Sequence, residues 1–127
     1  MICGVHKVVL TVEDQEVAGQ FWVEKLGFTV AVDAPYSETE RWLEVASPDG
    51  NVTLVLSPRH PEQPRQVGIP ADLPTSNAFF YSDDVEATHR ELSSRGVAFP
   101  HEPVRQPWGW WSMFCDPDGN RYALSEK

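Results

Sequence analysis

Cysteine is scarce in this chain: Cys3 and Cys115 are the only two. No C-x-x-C or other ligand spacing exists, so neither a disulfide framework nor a zinc knuckle is indicated. No apolar run approaches the roughly 18 residues that a membrane-spanning helix needs. The opening stretch MICGVHKVVLTV lacks the charged start, apolar core and small-residue cleavage site of a signal peptide. These absences lead to the expectation of a reduced, cytoplasmic protein. Positive charge is also sparse, 10 Lys and Arg against 19 Asp and Glu, for a formal net charge of −9. With no basic cluster, the field repels phosphate backbones and anionic membrane surfaces. Nucleic acid and membrane are therefore excluded as expected partners, and a cationic guest is favoured.

The 127 residues fit one domain of ordinary size. A chain of this length buries about two-thirds of its unfolded surface and needs no covalent or metal staple. Its 41% apolar and 23% charged residues are ordinary for a globular protein and argue against disorder.

Hydrophobic periodicity shows a repeat. Residues 5–12 are β-rich and end at Asp14, a helix N-cap type. Val17, Ala18, Phe21, Trp22 and Leu26 then recur at helical spacing, and Gly27 stops the helix. Strands are expected at 28–34, 41–46 and 51–56, the last two joined by the turn Ser47-Pro48-Asp49-Gly50-Asn51. The second half runs in the same order: a strand at 77–82, a cap at Asp84, and a helical face of Val85, Thr88, His89 and Leu92 closed by Gly96. Strands at 97–101, 110–115 and 121–125 follow, with Asp116-Pro117-Asp118-Gly119-Asn120 between the last two. Asp14 and Asp84 are 70 residues apart, Gly27 and Gly96 are 69 apart, and Gly50 and Gly119 are 69 apart. Three landmarks of different chemistry with matching offsets mark a duplication. Each half reads β-α-β-β-β. Pro58, Pro61, Pro64, Pro70 and Pro74 make 57–76 a linker or surface loop rather than a helix or central strand.

A duplicated βαβββ unit with Val12-Glu13-Asp14, Leu26-Gly27-Phe28, Pro107-Trp108-Gly109 and Asp116-Pro117-Asp118-Gly119-Asn120 resembles the vicinal oxygen chelate superfamily. Glyoxalase I, extradiol dioxygenases, fosfomycin-modifying enzymes and bleomycin-binding resistance proteins belong to that group. The resemblance implies an α+β fold in which two tandem units form a curved, cup-like mixed sheet within a single domain over 1–127. The first unit is 1–56 and the second 77–127. It further implies a concave apolar site between the halves, and often a homodimer.

Enzymes of the group hold a divalent metal through His and Glu at four strand positions. Counted from the landmarks, the resemblance puts those positions at Lys7, Leu54, Asn77 and Ala123. An ammonium repels a metal ion, and Leu and Ala offer no lone pair, so the expectation is no metal and no cofactor. His6, next to Lys7, falls on the opposite strand face. His60, His89 and His101 stand apart from one another and from these positions. Cys115 reads as a small buried hydrophobe rather than a nucleophile, and no catalytic residue is assigned.

Five tryptophans are present, three of them in Gln106-Pro107-Trp108-Gly109-Trp110-Trp111. Trp110 and Trp111 must point to opposite faces, with Met113 further along the same strand. Trp42 is the approximate counterpart in the first half, and Phe79 and Tyr81 share a face with Asn77. Indole faces suit planar ligands. The candidate ligand-binding set is therefore Lys7, Trp42, Asn77, Phe79, Tyr81, Trp108, Trp110, Trp111 and Met113. The competing reading makes the tryptophans core or interface residues, as Trp22 is on its helix. The function expected is metal-free binding of an aromatic or cationic small molecule, in the manner of the bleomycin-resistance members. The alternative is a lyase or dioxygenase of the same group with displaced metal ligands.

Overall fold

In a computed structural model that describes residues 1–62 and 76–127, both expected N-caps take the form their chemistry requires. Asp14 and Asp84 have extended backbones, and their carboxylates accept from Val17 N–H at 3.0 Å and Ala87 N–H at 2.9 Å. Each satisfies an N–H that the first helical turn leaves unpaired. Behind Asp14 runs α1 (Gln15–Gln20), which continues into a π-helical turn over Phe21–Lys25 with Leu26 N–H donating to the Phe21 carbonyl. Behind Asp84 runs α2 (Val85–Ser94).

The chain divides into two compact units, one on each side of residues 63–75. In the first, β1 (Lys7–Val12), β2 (Thr29–Pro35), β3 (Arg41–Ala46) and β4 (Thr53–Pro58) form a sheet in the order β1-β4-β3-β2. The second has β5 (Phe79–Ser82), β6 (Val104–Gln106), β7 (Gly109–Cys115) and β8 (Arg121–Glu126) in the order β5-β8-β7-β6. The first strand of each unit pairs parallel with the last, and the other pairings are antiparallel. The α+β class and the βαβββ repeat hold in both units.

Each sheet carries its helix on one face. In the first unit, Leu10 and Leu56 pair across β1 and β4, and Val45 and Leu54 pair across β3 and β4. All four are buried, along with Ala18, Phe21 and Trp22 of the helical segment. Gly19 lets α1 close on the sheet, since a Cβ there would lie 3.3 Å from Leu43 Cδ2. Gln15 seals the end where the β3–β4 ladder stops at Glu44 and Val55. Its side-chain amide donates to the Arg41 and Leu56 carbonyls at 2.6 and 2.9 Å and accepts from Arg41 N–H at 3.2 Å. In the second unit, Phe80, Phe114 and Tyr122 form an aromatic core with centroids 5.6–5.9 Å apart. Phe99 bridges Phe114 to His89 of α2.

Several expectations need correction. The strand expected at 97–101 is absent, and the third element of the second unit is β6 at Val104–Gln106. Val97 N–H instead closes the end of α2 on the Leu92 carbonyl, and one bond from Cys115 N–H to the Ala98 carbonyl is followed by Pro100, which cannot donate to a ladder. On the first helix, Val17 is exposed and Leu26 half-buried, because the π-turn turns Phe21 and Trp22 together toward the core. Ser57 and Pro58, placed in the linker, end β4. Pro58 is tolerated there because the β3–β4 ladder has already ended, so its missing N–H leaves no partner unpaired on that side. The rest of the linker expectation, with Pro64, Pro70 and Pro74, falls on 63–75, outside the described residues. None of the helices among the described residues is long and apolar enough to cross a membrane.

Candidate functional site

The strand face away from the helix carries the candidate residues, and strand alternation decides which ones reach it. In the first unit the register aligns Val9, Val55 and Glu44 across β1, β4 and β3. Lys7 and Trp42 lie two residues from Val9 and Glu44 on their own strands, so they share that face. Leu54 does not. It pairs with Val8 and Val45 on the helix side, so the fourth-strand position that shares a face with Lys7 is filled by Thr53 and Val55. The landmark count slips here because six residues separate Ala46 from its partner Thr53, against five between Cys115 and Arg121.

Glu44 is the centre of this face, and sequence reasoning missed it. Only 3% of the residue is exposed. Its Oε2 accepts from Lys7 Nζ at 2.7 Å and from the Trp42 indole N–H. A carboxylate is buried at a large cost unless it is paired and hydrogen-bonded, and these two donors meet that requirement. The Lys7 hydrogen bond first, then that of Trp42, hold the Glu44 carboxyl below the usual carboxylate range, against the opposing effect of burial. Trp42 is thereby fixed through its polar edge while 43% of it stays exposed, with Tyr36 tilted against it at 6.2 Å. The available signal was period-2 alternation in Arg41-Trp42-Leu43-Glu44-Val45-Ala46, which puts an acid between Trp42 and Ala46 on one strand face.

The corresponding face of the second unit is aromatic and apolar. Phe79, Ala123 and Met113 align across β5, β8 and β7, as do Tyr81, Ser125 and Trp111. Trp111, Met113 and Ala123 form one buried cluster. Phe79 stacks at a tilt on Trp111 with centroids 6.0 Å apart, and Trp108 meets the same indole edge-on at 6.4 Å. Phe79, Tyr81 and Trp108 are each more than half exposed. Lys127 Nζ lies 4.9 Å from the Tyr81 ring centroid. The structure thus assembles Phe79, Trp108, Trp111 and Met113. Trp110 lies on the opposite face of β7, with Ser112 and Phe114, and Asn77 is an exposed residue ahead of β5.

A concavity of about 540 Å³ lies in the first unit between the start of α1 and the β2–β3 hairpin. Its wall is acidic, with Glu13, Glu16, Asp33 and Glu40, and Arg41 is engaged there by Glu16 at 2.9 Å and Asp33 at 3.3 Å.

Two such units match a known pattern end to end. The family model described as the Glyoxalase/Bleomycin resistance protein/Dioxygenase superfamily covers residues 4–124. The chain belongs to that superfamily. Among its relatives, YetH of Bacillus subtilis (strain 168) is 34% identical over 126 residues, covering 99% of this chain and all of YetH. A superfamily member from Sphaerobacter thermophilus DSM 20745 has a solved structure with a TM-score of 0.83 at 28% identity, covering 99% of this chain and 98% of that one. TnmS3, an antibiotic binding protein from Streptomyces sp. CB03234, superposes with a TM-score of 0.80 at 36% identity, covering 98% and 96% of the two chains.

The superfamily's enzymes imply a divalent metal, and the residues present do not fit one. Lys7 stands at the first ligand position and places its own cation against Glu44. Val55 and Ala123, on the fourth strands, have no donor atoms, and Asn77 offers one amide oxygen. Among the described residues, no three His, Cys, Asp or Glu side chains converge to hold a metal.

Proposed function

We propose that this chain binds a small aromatic or cationic molecule without a metal ion and acts by sequestering it. The observation that carries this reading is that each unit presents aromatic side chains on the helix-free face of its own sheet. Trp42, Phe79, Tyr81 and Trp108 all keep large exposed ring surface there. Exposed rings of this kind give planar apolar contact area. Lys7 and Glu44, joined to each other, supply the few polar atoms such a site uses for orientation. The net charge of −9 favours a cationic guest over an anionic one. The likeness to TnmS3 supports binding as the activity in its own right. The reading includes a homodimer in the cytoplasm, with neither nucleic acid nor membrane as partner.

The test combines two measurements. Protein incubated with Zn²⁺, Ni²⁺, Mn²⁺ and Fe²⁺ and then desalted is expected to retain no metal by mass spectrometry. The same protein is expected to show saturable quenching of tryptophan emission by a planar cation such as proflavine at physiological salt. One tightly held metal per chain, or emission indifferent to every planar compound, would overturn the reading. Light scattering in solution tests the dimer, and a monomer mass removes that part.

A further inference from the structure

Resting on the aromatic-binding reading above, we propose that Lys7 and Glu44 form a recognition edge for a neutral amide-like group, an N–H beside a C=O, carried on a planar aromatic ligand. A carboxylate offers about four lone-pair positions and an ammonium three donors. Both hydrogen bonds to Glu44 fall on Oε2, and among the described residues its Oε1 receives none. Among the described residues, Lys7 spends one donor on Glu44, and its side chain remains 36% exposed. The Glu44 side chain is nine-tenths buried and more, at 4% exposure, so it is a recessed acceptor fixed in place rather than a mobile surface acid.

The pair is electrically neutral as a unit, because the ammonium and carboxylate are in contact at 2.7 Å. It therefore attracts neither a free cation nor a free anion strongly. What it presents is a donor and an acceptor side by side, which a lactam, primary carboxamide or similar edge meets with both of its polar atoms at once. The Trp42 indole, tied to the same carboxylate, places an aromatic surface next to that edge. The apolar Val55 and, beyond it, Val9 follow Glu44 in register toward β1. A ligand's ring and polar edge would thus be read by adjoining groups of one strand face.

The second unit has no such edge. Its counterpart to Glu44 is Met113, packed with Trp111 and Ala123. The double variant Lys7→Met/Glu44→Met removes the edge, at position 44 with the residue that the repeat carries at the matching place.

The test is calorimetric titration of wild type and this variant with β-naphthamide and with methyl β-naphthyl ketone, which keeps the ring and carbonyl but lacks the N–H. Wild type is expected to prefer the amide by about tenfold or more, since an unmatched buried polar partner costs at least that factor. The variant is expected to bind the two alike. Equal affinities in wild type, or a preference that survives in the variant, would overturn the edge and leave aromatic binding standing. Binding of neither compound would overturn both. The wild-type ratio is decisive by itself if the variant does not fold.

Discussion

Glu44 and Met113 stand 69 residues apart at the same point of the repeat, yet one is a buried carboxylate holding Lys7 and Trp42 and the other is a buried thioether packed on Trp111. The duplicated backbone accepts both because each residue's surroundings diverged with it. Lys7 faces the carboxylate, while Phe79, Trp111 and Ala123 surround the position in the second unit. Four consequences are open to measurement.

Acid should weaken the wild type more than Glu44→Gln. The Glu44 carboxyl is held below its ordinary value, first by the Lys7 hydrogen bond. A lowered folded-state value means that the unfolded chain takes up the proton first. The contribution is thus complete above the ordinary carboxylate range and is lost as pH falls through the lowered value. Urea unfolding midpoints across an acid series should fall more steeply for wild type, and parallel curves would refute this.

Asp116 should matter more to stability than Asp49, although each serves a Pro-Asp-Gly-Asn turn, Asp116 from just ahead of Pro117 and Asp49 from within Pro48-Asp49-Gly50-Asn51. Asp116 is buried and accepts from Asp118 N–H, Asn120 N–H, the Asn120 side chain and Tyr122 Oη, all at 2.9–3.0 Å. Asp116→Ala also leaves the buried Tyr122 hydroxyl without that acceptor, for a loss of about 3 kcal/mol. Asp49 is exposed, and Asp49→Ala should cost less than about 1 kcal/mol. Equal losses in chemical denaturation would contradict the argument.

Ser112→Ala should be neutral or stabilising, by up to about 1 kcal/mol. The Ser112 hydroxyl is fully buried on the helix side of β7 and has no hydrogen-bond partner among the described residues. Removing it relieves an unpaired polar group, and the missing oxygen leaves little space. A drop in thermal midpoint would show that the hydroxyl is satisfied in solution.

Thiol reagents should modify Cys3 well before Cys115. Cys3 is exposed, whereas burial pushes the Cys115 thiol up, with Asp116 adding to the shift and Arg121 opposing it. The thiolate is the reacting species, so a raised value slows the reaction near neutral pH. Mass spectrometry during limited alkylation reads the order, and faster labelling at Cys115 would overturn it.

Much of the architecture was legible from residues alone. Asp14 and Asp84 announced both helices, and the two Pro-Asp-Gly-Asn turns fixed the last hairpin of each unit. Strand alternation correctly separated Trp110 from Trp111, although only the register could say which side each took. The 97–101 stretch was misread because β-rich composition does not register that Pro100 cannot pair. Leu54 was misplaced because one added turn residue reverses the face of everything after it. Glu44 lies at none of the metal-ligand positions, and its partners are a lysine 37 residues away and an indole on its own strand. Proximity of that kind is created by sheet pairing, which local sequence does not encode.

The π-helical turn in the first helix accounts for the one offset that does not match. Asp14 and Asp84 are 70 residues apart, but Gly27 and Gly96 are 69, so the first helical segment holds one residue more than the second. An inserted residue in a regular α-helix would rotate everything after it by about 100° and carry the apolar stripe off the sheet. The i→i+5 bond from Leu26 to Phe21 takes the insertion up within a single turn. Cap and terminating glycine both keep their places, and Phe21 and Trp22 keep theirs in the core. The two halves have therefore drifted apart in length without drifting apart in phase.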